Sequence, residues 1–501
     1  MPVDRPASVP PPEPVIGPLL YARGTDPATG RHALSVLLAV AEGAAPPRLA
    51  AEGAVAPPRQ VDRLLGLAFH RYDFSLPPAG GAYAVAGRRH AVCLGTPKDD
   101  LRVAFVSCNG KEEGDFDRPP AEREAMWERL RARHRAAPFS LMLMGGDQIY
   151  ADGALAAHPD LARWAALPAQ RKGRVAAGAA AERAATAFFL DRWRRSVSAA
   201  AAGALMAEVP VLAMWDDHDI FDGYGSHPAP VQDSPVGRML YRVARRFFRL
   251  FQAGGHDPAD PATLSRTLPQ PGFAVLAPDL RSERRPDRVM GPAGWAALEA
   301  GMAAAPAGAP VFLVSTVPAL GPRLSLVEGL HRLVPGAQKY EDDLRDQWQS
   351  RAHRAEWRRL LALAVDRAER RGPVTFLSGE IHLAARGELT TPGGAVLHQL
   401  TASGISHPPP PRAFAAGLGA LGALGGAPLP GHRLALPALP GTGRRYVAER
   451  NLLVLERRGG AWRAAWELEE SGPTPWLALP GPPARAAAMP GGAGRAAAGP
   501  R

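Results

Sequence analysis

Cysteine is nearly absent: the 501 residues hold only Cys93 and Cys108. That excludes the disulfide framework on which small secreted scaffolds depend. Long apolar runs are missing too, and nowhere do about 18 apolar residues follow one another without charge, as a membrane helix requires. The Pro-rich start, Met1 to Pro18, shows neither a basic region followed by an apolar one nor a twin-Arg pair before an apolar stretch. Nor is there a dense Lys/Arg tract with interleaved aromatics, so the net charge of +11, carried mainly by Arg, is weak ground for nucleic-acid binding. Ala, Pro, Gly and Arg are in excess together, the pattern of a genome-wide coding bias. These absences describe a soluble, cytoplasmic chain with no membrane partner, to which nucleic acid comes only as a substrate. No internal repeat is visible.

What is present divides unevenly. A chain of 501 residues with 46% hydrophobic content exceeds one ordinary core. Residues 1–14 read as a disordered leader. Residues 15–98 alternate short strands and turns, among them a hairpin of Leu19 to Arg23 with Ala33 to Leu38, and predict a small β-sandwich. Residues 99–470 follow a strand–helix rhythm and predict one large α/β catalytic domain. Within it, the Pro-, Gly- and Ala-rich residues 408–440 read as a loop or lid, while Asn451 to Glu456 and Trp462 to Leu468 close a sheet edge. Residues 471–501 are low in complexity and read as a disordered tail.

Four motifs follow apolar runs of strand length: Ser107-Cys108-Asn109, Gly146-Asp147-Gln148-Ile149-Tyr150, Trp215-Asp216-Asp217-His218-Asp219 and Gly379-Glu380-Ile381-His382. Such runs between helical segments predict buried strands, whose ends share one rim. Gathered there, a thiol, several carboxylates, a phenol and imidazoles make a donor set for two metal ions. Asp147 fits either a helix N-cap or a carboxylate bridging two cations. Tyr150 suits a hard trivalent ion such as Fe³⁺, or is an amphipathic rim tyrosine. Cys108 is a thiolate ligand or a small buried hydrophobe.

Three carboxylates around His218 are expensive without a cation. Asp217 is therefore assigned to metal, His218 to the substrate as a proton donor or clamp, and Asp219 to orienting His218. Glu380 and His382, two apart on a strand, face the same way and chelate one metal each. Asn109 and Arg281 are assigned to the substrate, Arg281 as the phosphate clamp nearest its strand.

Together with Asp279-Leu280-Arg281-Ser282-Glu283-Arg284, Asp342 to Trp348 and Ser403-Gly404-Ile405, these motifs resemble the alkaline phosphatase D-like (PhoD-like) branch of the calcineurin-type metallophosphoesterases over about residues 100–470. The resemblance implies a four-layer αββα sandwich preceded by a small β-domain. It places Fe³⁺ at Cys108, Asp147 and Tyr150, and a divalent ion, Ca²⁺ with Mn²⁺ or Zn²⁺ as substitutes, at Asp217 and Glu380, with Asp147 bridging. His218 matches its substrate-facing histidine. Departures from the wider superfamily are Ser-Cys-Asn for Asp-x-His, Asp-His for Asn-His, and Gly-Glu-Ile-His for Gly-His-x-His. The expected activity is a metal-dependent phosphoesterase, a phosphodiesterase and/or alkaline phosphatase, using a metal-bound hydroxide at a dinuclear site. A metal hydrolase of other esters and a non-catalytic or narrowly specific paralogue are the alternatives. The branch is often exported behind a twin-Arg signal, and the lack of one here suggests an intracellular substrate.

Overall fold

A computed structural model describes residues 13–110, 118–322 and 346–481. Most of the expected leader and tail, and residues 342–345 of one motif, lie outside these. Two large sheets carry the fold. Three strands, Leu101–Val106, Leu141–Gly145 and Val211–Met214, run parallel at the centre of an eleven-stranded sheet. Their pairing sets Val106 opposite Met144 and Gly145 opposite Met214, so all three end at one level. The second sheet has eight strands, with Phe273–Ala277, Val311–Val314, Val374–Ser378 and Val396–Thr401 parallel at its centre.

The second sheet is buried on both faces, and its period of two sorts the side chains. Phe273, Val275, Phe312, Val314 and Leu377 join the core shared with the first sheet. The alternating Ala274, Leu276, Val311, Leu313 and Phe376 join a separate core with helices Pro292–Ala304 and Arg354–Arg370. Trp462 of the first sheet stands edge-on to Phe273 and Phe312 of the second, at 5.1 and 4.8 Å between ring centroids. Helices Ala125–Ala136, Ala179–Val197, Ala200–Glu208 and Pro235–Phe247 add their apolar residues to the first sheet's core. The architecture is the expected α/β sandwich.

The β-rich residues 15–98 are continuous with this sandwich rather than walled off from it. Strand Ile16–Thr25 pairs in parallel with Val211–Met214, Tyr21 opposite Val211, and the sheet then runs on through His32–Ala41, Leu67–Leu76 and Pro58–Leu64. Here too alternation decides the packing. Leu37 and Ala39 face the main core, while Val36, Leu38 and Val40 face a small core closed by a four-stranded sheet that includes Gly80–Val85 and Arg88–Cys93. The small β-sandwich therefore borrows one wall from the eleven-stranded sheet.

Two boundaries need correction. The segment 408–440, expected as a loop, holds helix Arg412–Gly422 and strand Arg433–Ala435, which pairs with Ala384–Thr390. Leu434, Leu436 and Leu439 supply the burial that composition hid. The tail was expected from residue 471, yet Gly472–Pro473 and Leu477–Ala478 both pair with Ala461–Leu468. Among the described residues, no helix is long and apolar enough to cross a membrane.

Candidate metal centre

The four motifs leave their strands at the common rim and are knitted together by backbone hydrogen bonds. Cys108 N–H donates to Gly146 O, Asn109 N–H to Asp147 O, Ala151 N–H to His218 O, and His407 N–H to Cys108 O. Four rim residues, Cys108, Asp147, Glu380 and His382, have φ between 52° and 63°. A non-glycine residue in this left-handed region costs on the order of 1–3 kcal/mol, and such strain concentrates at functional sites. It turns each side chain sharply out of its strand.

Glycine makes the approach of the two sheets possible. A Cβ on Gly146, at φ 99°, would sit 3.2 Å from the side chain of Thr316, which follows the second-sheet strand Val311–Val314. One on Gly379 would overlap the Ser107 side chain. Gly379→Ala is accordingly expected to lower stability by about 1–3 kcal/mol through overpacking, read as an earlier denaturation midpoint, together with reduced activity. An unchanged midpoint would show that the sheets can part without loss.

Three donor clusters lie here among the described residues: two share one residue, and the third is Asp217, His218 and Asp222. Cys108, Asp147 and His382 bring ligand atoms within 4.8 Å of one another, and so do Asp147, Asp216 and Asp217. Cys108 Sγ lies 3.5 Å from Asp147 Oδ2 and accepts from Ser403 Oγ at 3.1 Å. Burial pushes the Cys108 thiol well up, and the Asp147 charge adds to the rise. Burial also pushes the Asp147 carboxyl well up; His218 opposes this, while Asp217, Asp216 and Asp219 reinforce it. Asp216 rises to about 6, again chiefly by burial, against the pull of Arg281. Asp147 Oδ1 and Asp216 Oδ2 are buried without a hydrogen-bond partner.

A fully enclosed thiol beside several carboxylates, with acceptor oxygens left unpartnered, is unfavourable unless cations complete it. The residues present therefore fit a pair of metal ions. The ring of His382 supports this: burial, with His407 and His218 nearby, holds its pKa well below the usual range, which favours the neutral imidazole that a metal ligand requires. Its Nε2 lies 2.9 Å from the Tyr150 hydroxyl, and its ring stacks on His407 at 3.6 Å. Tyr150 thus borders the first cluster.

His218 is held by a residue that was not assigned to it. Its Nδ1 donates to Asp152 Oδ2 at 2.7 Å. Burial draws the imidazole pKa down, but Asp152, Asp217 and Asp147 outweigh it and hold the ring protonated well above its ordinary value. Asp219, expected to orient His218, instead accepts from the backbone N–H groups of Asp216, Gln148 and Ile149 at 2.9 to 3.2 Å. It ties the second motif to the third. The signal for Asp152 was its place two residues after Tyr150, at the head of the short turn Asp152–Ala156.

Three further expectations change. Glu380 and His382 do not alternate along a strand: the strand ends at Ser378, and both residues sit in the positive-φ turn after it. His382 reaches the first cluster, whereas the Glu380 carboxylate receives Gln347 Nε2 at 2.9 and 2.7 Å and stands outside all three clusters. Asn109 is a buried post rather than a substrate contact. Its Oδ1 accepts from Trp127 Nε1 at 2.8 Å and Ser406 Oγ at 3.2 Å, and its Nδ2 donates to Gln148 O at 3.3 Å.

Arg281 cannot clamp a phosphate, because it is 0% exposed. Its Nε donates to Asp216, its Nη1 to Tyr224 O and Asp346 Oδ1, and its Nη2 to Asp346 Oδ2 at 2.6 Å, with Asp217 Oδ1 3.3 Å away. Every edge of the guanidinium is occupied by protein. Asp346 was visible in a motif but had no role; the paired Arg281 and Arg284 charges overcome its burial and hold its carboxyl below the usual range.

Residues 121–259, which carry the second and third motifs, match the family described as PhoD related phosphatase. An uncharacterized protein of Saccharomyces cerevisiae is 24% identical over 399 residues, 64% of this chain and 56% of its own length, so the chain spans about half of that relative. The solved structure of PhoD matches with a TM-score of 0.55 at 13% identity, covering 95% of this chain and 90% of that one, which shows the fold. The chain is thus similar to the PhoD related phosphatases in sequence across residues 121–259 and to PhoD in fold across nearly its whole length.

Proposed function

We propose that this protein is a metal-dependent phosphoesterase that favours phosphodiesters over monoesters. The observation carrying the reading is that Asp147 belongs to two of the three donor clusters, the arrangement a bridged pair of ions needs. Cys108, Asp147 and His382, with Tyr150 beside them, would hold one ion, and their thiolate, imidazole and phenol donors suit Fe³⁺. Asp147, Asp216 and Asp217 would hold the other, an all-oxygen set that suits Ca²⁺ or Mn²⁺. When bound, such a pair neutralises charge developing on a phosphoryl group and lowers the pKa of water.

The chain's own residues do the rest. His218 keeps Nδ1 on Asp152, which leaves Nε2 to give a proton to the departing oxygen. Its side chain remains 22% exposed, so a substrate can reach it. Asp219 and the strained turns hold the ligands in place before substrate arrives.

His218→Ala is expected to keep both metals and slow turnover by roughly 10²–10⁴-fold, the range of general acid–base catalysis. Asp152→Asn should lose about 10–100-fold with metal content unchanged, the usual effect of a residue acting through another. Loss of metal from either variant would make His218 a ligand instead of an acid. The reading as a whole is tested by hydrolysis of a chromogenic phosphodiester and its matched monoester before and after chelation. Activity that falls with chelation and returns with metal supports it; inactivity on both substrates with metal bound overturns it.

A further inference from the structure

A cavity of about 690 Å³ shares no lining residue with the metal centre. It opens beside the end of helix Pro235–Phe247 and the strand Arg266–Gln270. Its wall carries Arg23, Arg242, Arg245, Arg246, Arg249 and Arg266 against one carboxylate, Asp257. Three of these cations have acidic partners: Arg249 pairs with Asp257 at 2.5 Å, Arg246 with Asp62 at 2.7 Å and Arg242 with Glu182 at 3.6 Å.

Arg23, Arg245 and Arg266 have no carboxylate partner among the described residues. Their hydrogen bonds go to neutral acceptors: Arg23 to Ser35 Oγ and Ala253 O, Arg245 to the Tyr241 hydroxyl, and Arg266 to Gln252 O. Burial draws the Arg23 pKa well down, with the Arg266 charge adding to the fall, and brings Arg266 down to about 10. Asp73 offsets part of the fall at Arg23, but neighbouring half-buried cations with no carboxylate in contact are unfavourable, and a bound anion between them would relieve this. Guanidinium forks match phosphoryl oxygens in pairs. The volume is that of a small organic ligand rather than a lone ion, and Phe248 and Leu264 give the wall an apolar part.

We propose that this cavity binds an organic molecule bearing two or more phosphoryl charges, held by Arg23, Arg245 and Arg266 with its organic part against Phe248 and Leu264. The claim is independent of the metal centre. It is therefore tested on the full chain after chelation, and again on Asp147→Asn, so that no phosphate is held by metal. Calorimetric titration with ADP, pyrophosphate and inorganic phosphate is the measurement. One-to-one binding of ADP and pyrophosphate is expected, ADP the tighter, with phosphate at least tenfold weaker.

Arg266→Gln and Arg245→Gln should each weaken ADP at least tenfold. Arg245 is partly exposed and makes one 3.4 Å bond, to Tyr241, so its replacement spares the fold even if that of Arg266 does not. No binding of ADP, phosphate binding as tight as pyrophosphate, or affinity unchanged in Arg245→Gln would each overturn the proposal.

Discussion

Asp147→Asn should abolish turnover and empty the metal centre. The loss in kcat is expected to exceed about 10³-fold, beyond the roughly 10²–10³ that removal of a single preorganised donor costs. The reason lies in sharing: Asp147 belongs to two of the clusters, so neutralising it removes a ligand from each cation at once. Asn is the right replacement because position 147 has φ 54°, a conformation Asn tolerates better than most residues. The turn and its backbone bonds to Asn109 are therefore kept, and the change is one of charge. Metal analysis should fall from two ions per chain to one or none while the denaturation midpoint stays close to that of the parent. Buried Asp147 is already disfavoured as an anion without cations, which argues against a stabilising role for its charge alone. Full turnover with two bound ions would remove Asp147 from the centre and with it the phosphoesterase proposal.

The rim was legible because strands buried on both faces write themselves as apolar runs. The runs Val103 to Val106, Phe139 to Met144 and Val209 to Trp215 stop just before Ser107, Gly145 and Asp216, and the parallel register brings those ends level. Cys108 and Asp147 each stand two residues past their strand, which is why reading the strand ends found them. Direction was harder to read. Spacing placed Glu380 and His382 on one strand face, but positive φ at both residues turns one to the Cys108 cluster and leaves the other with Gln347. Glu gives no sign of positive φ in a sequence, unlike Gly or Asn.

Partners were least legible, since a charged side chain near the rim can face the substrate or the protein. Asp219 was taken for an orienting group because it follows His218, yet the unsatisfied N–H groups of the second motif claimed it. Asp152, from that same second motif, took the role. The join between the β-rich residues and the catalytic sheet rests on a pairing between Tyr21 and Val211, 190 residues apart, which no local pattern can reveal.

Arg281→Ala should cost stability rather than substrate affinity. A phosphate clamp at the surface would raise KM and leave the denaturation midpoint alone. Arg281 is instead a buried cation among Asp216, Asp217 and Asp346, and removing it leaves carboxylates uncompensated in the interior. Breaking a buried ion pair from one side costs about 3–5 kcal/mol, so the variant is expected to show a much lower denaturation midpoint and loss of soluble yield. Arg281→Lys should recover little, because an ammonium cannot match the fork that Asp346 receives at 2.9 and 2.6 Å. The network also explains why the centre needs this arginine: Arg281 holds one oxygen of Asp216 and leaves the other unpartnered in the second cluster. A variant that folds as well as the parent but binds substrate poorly would return Arg281 to the surface role and refute the buried one.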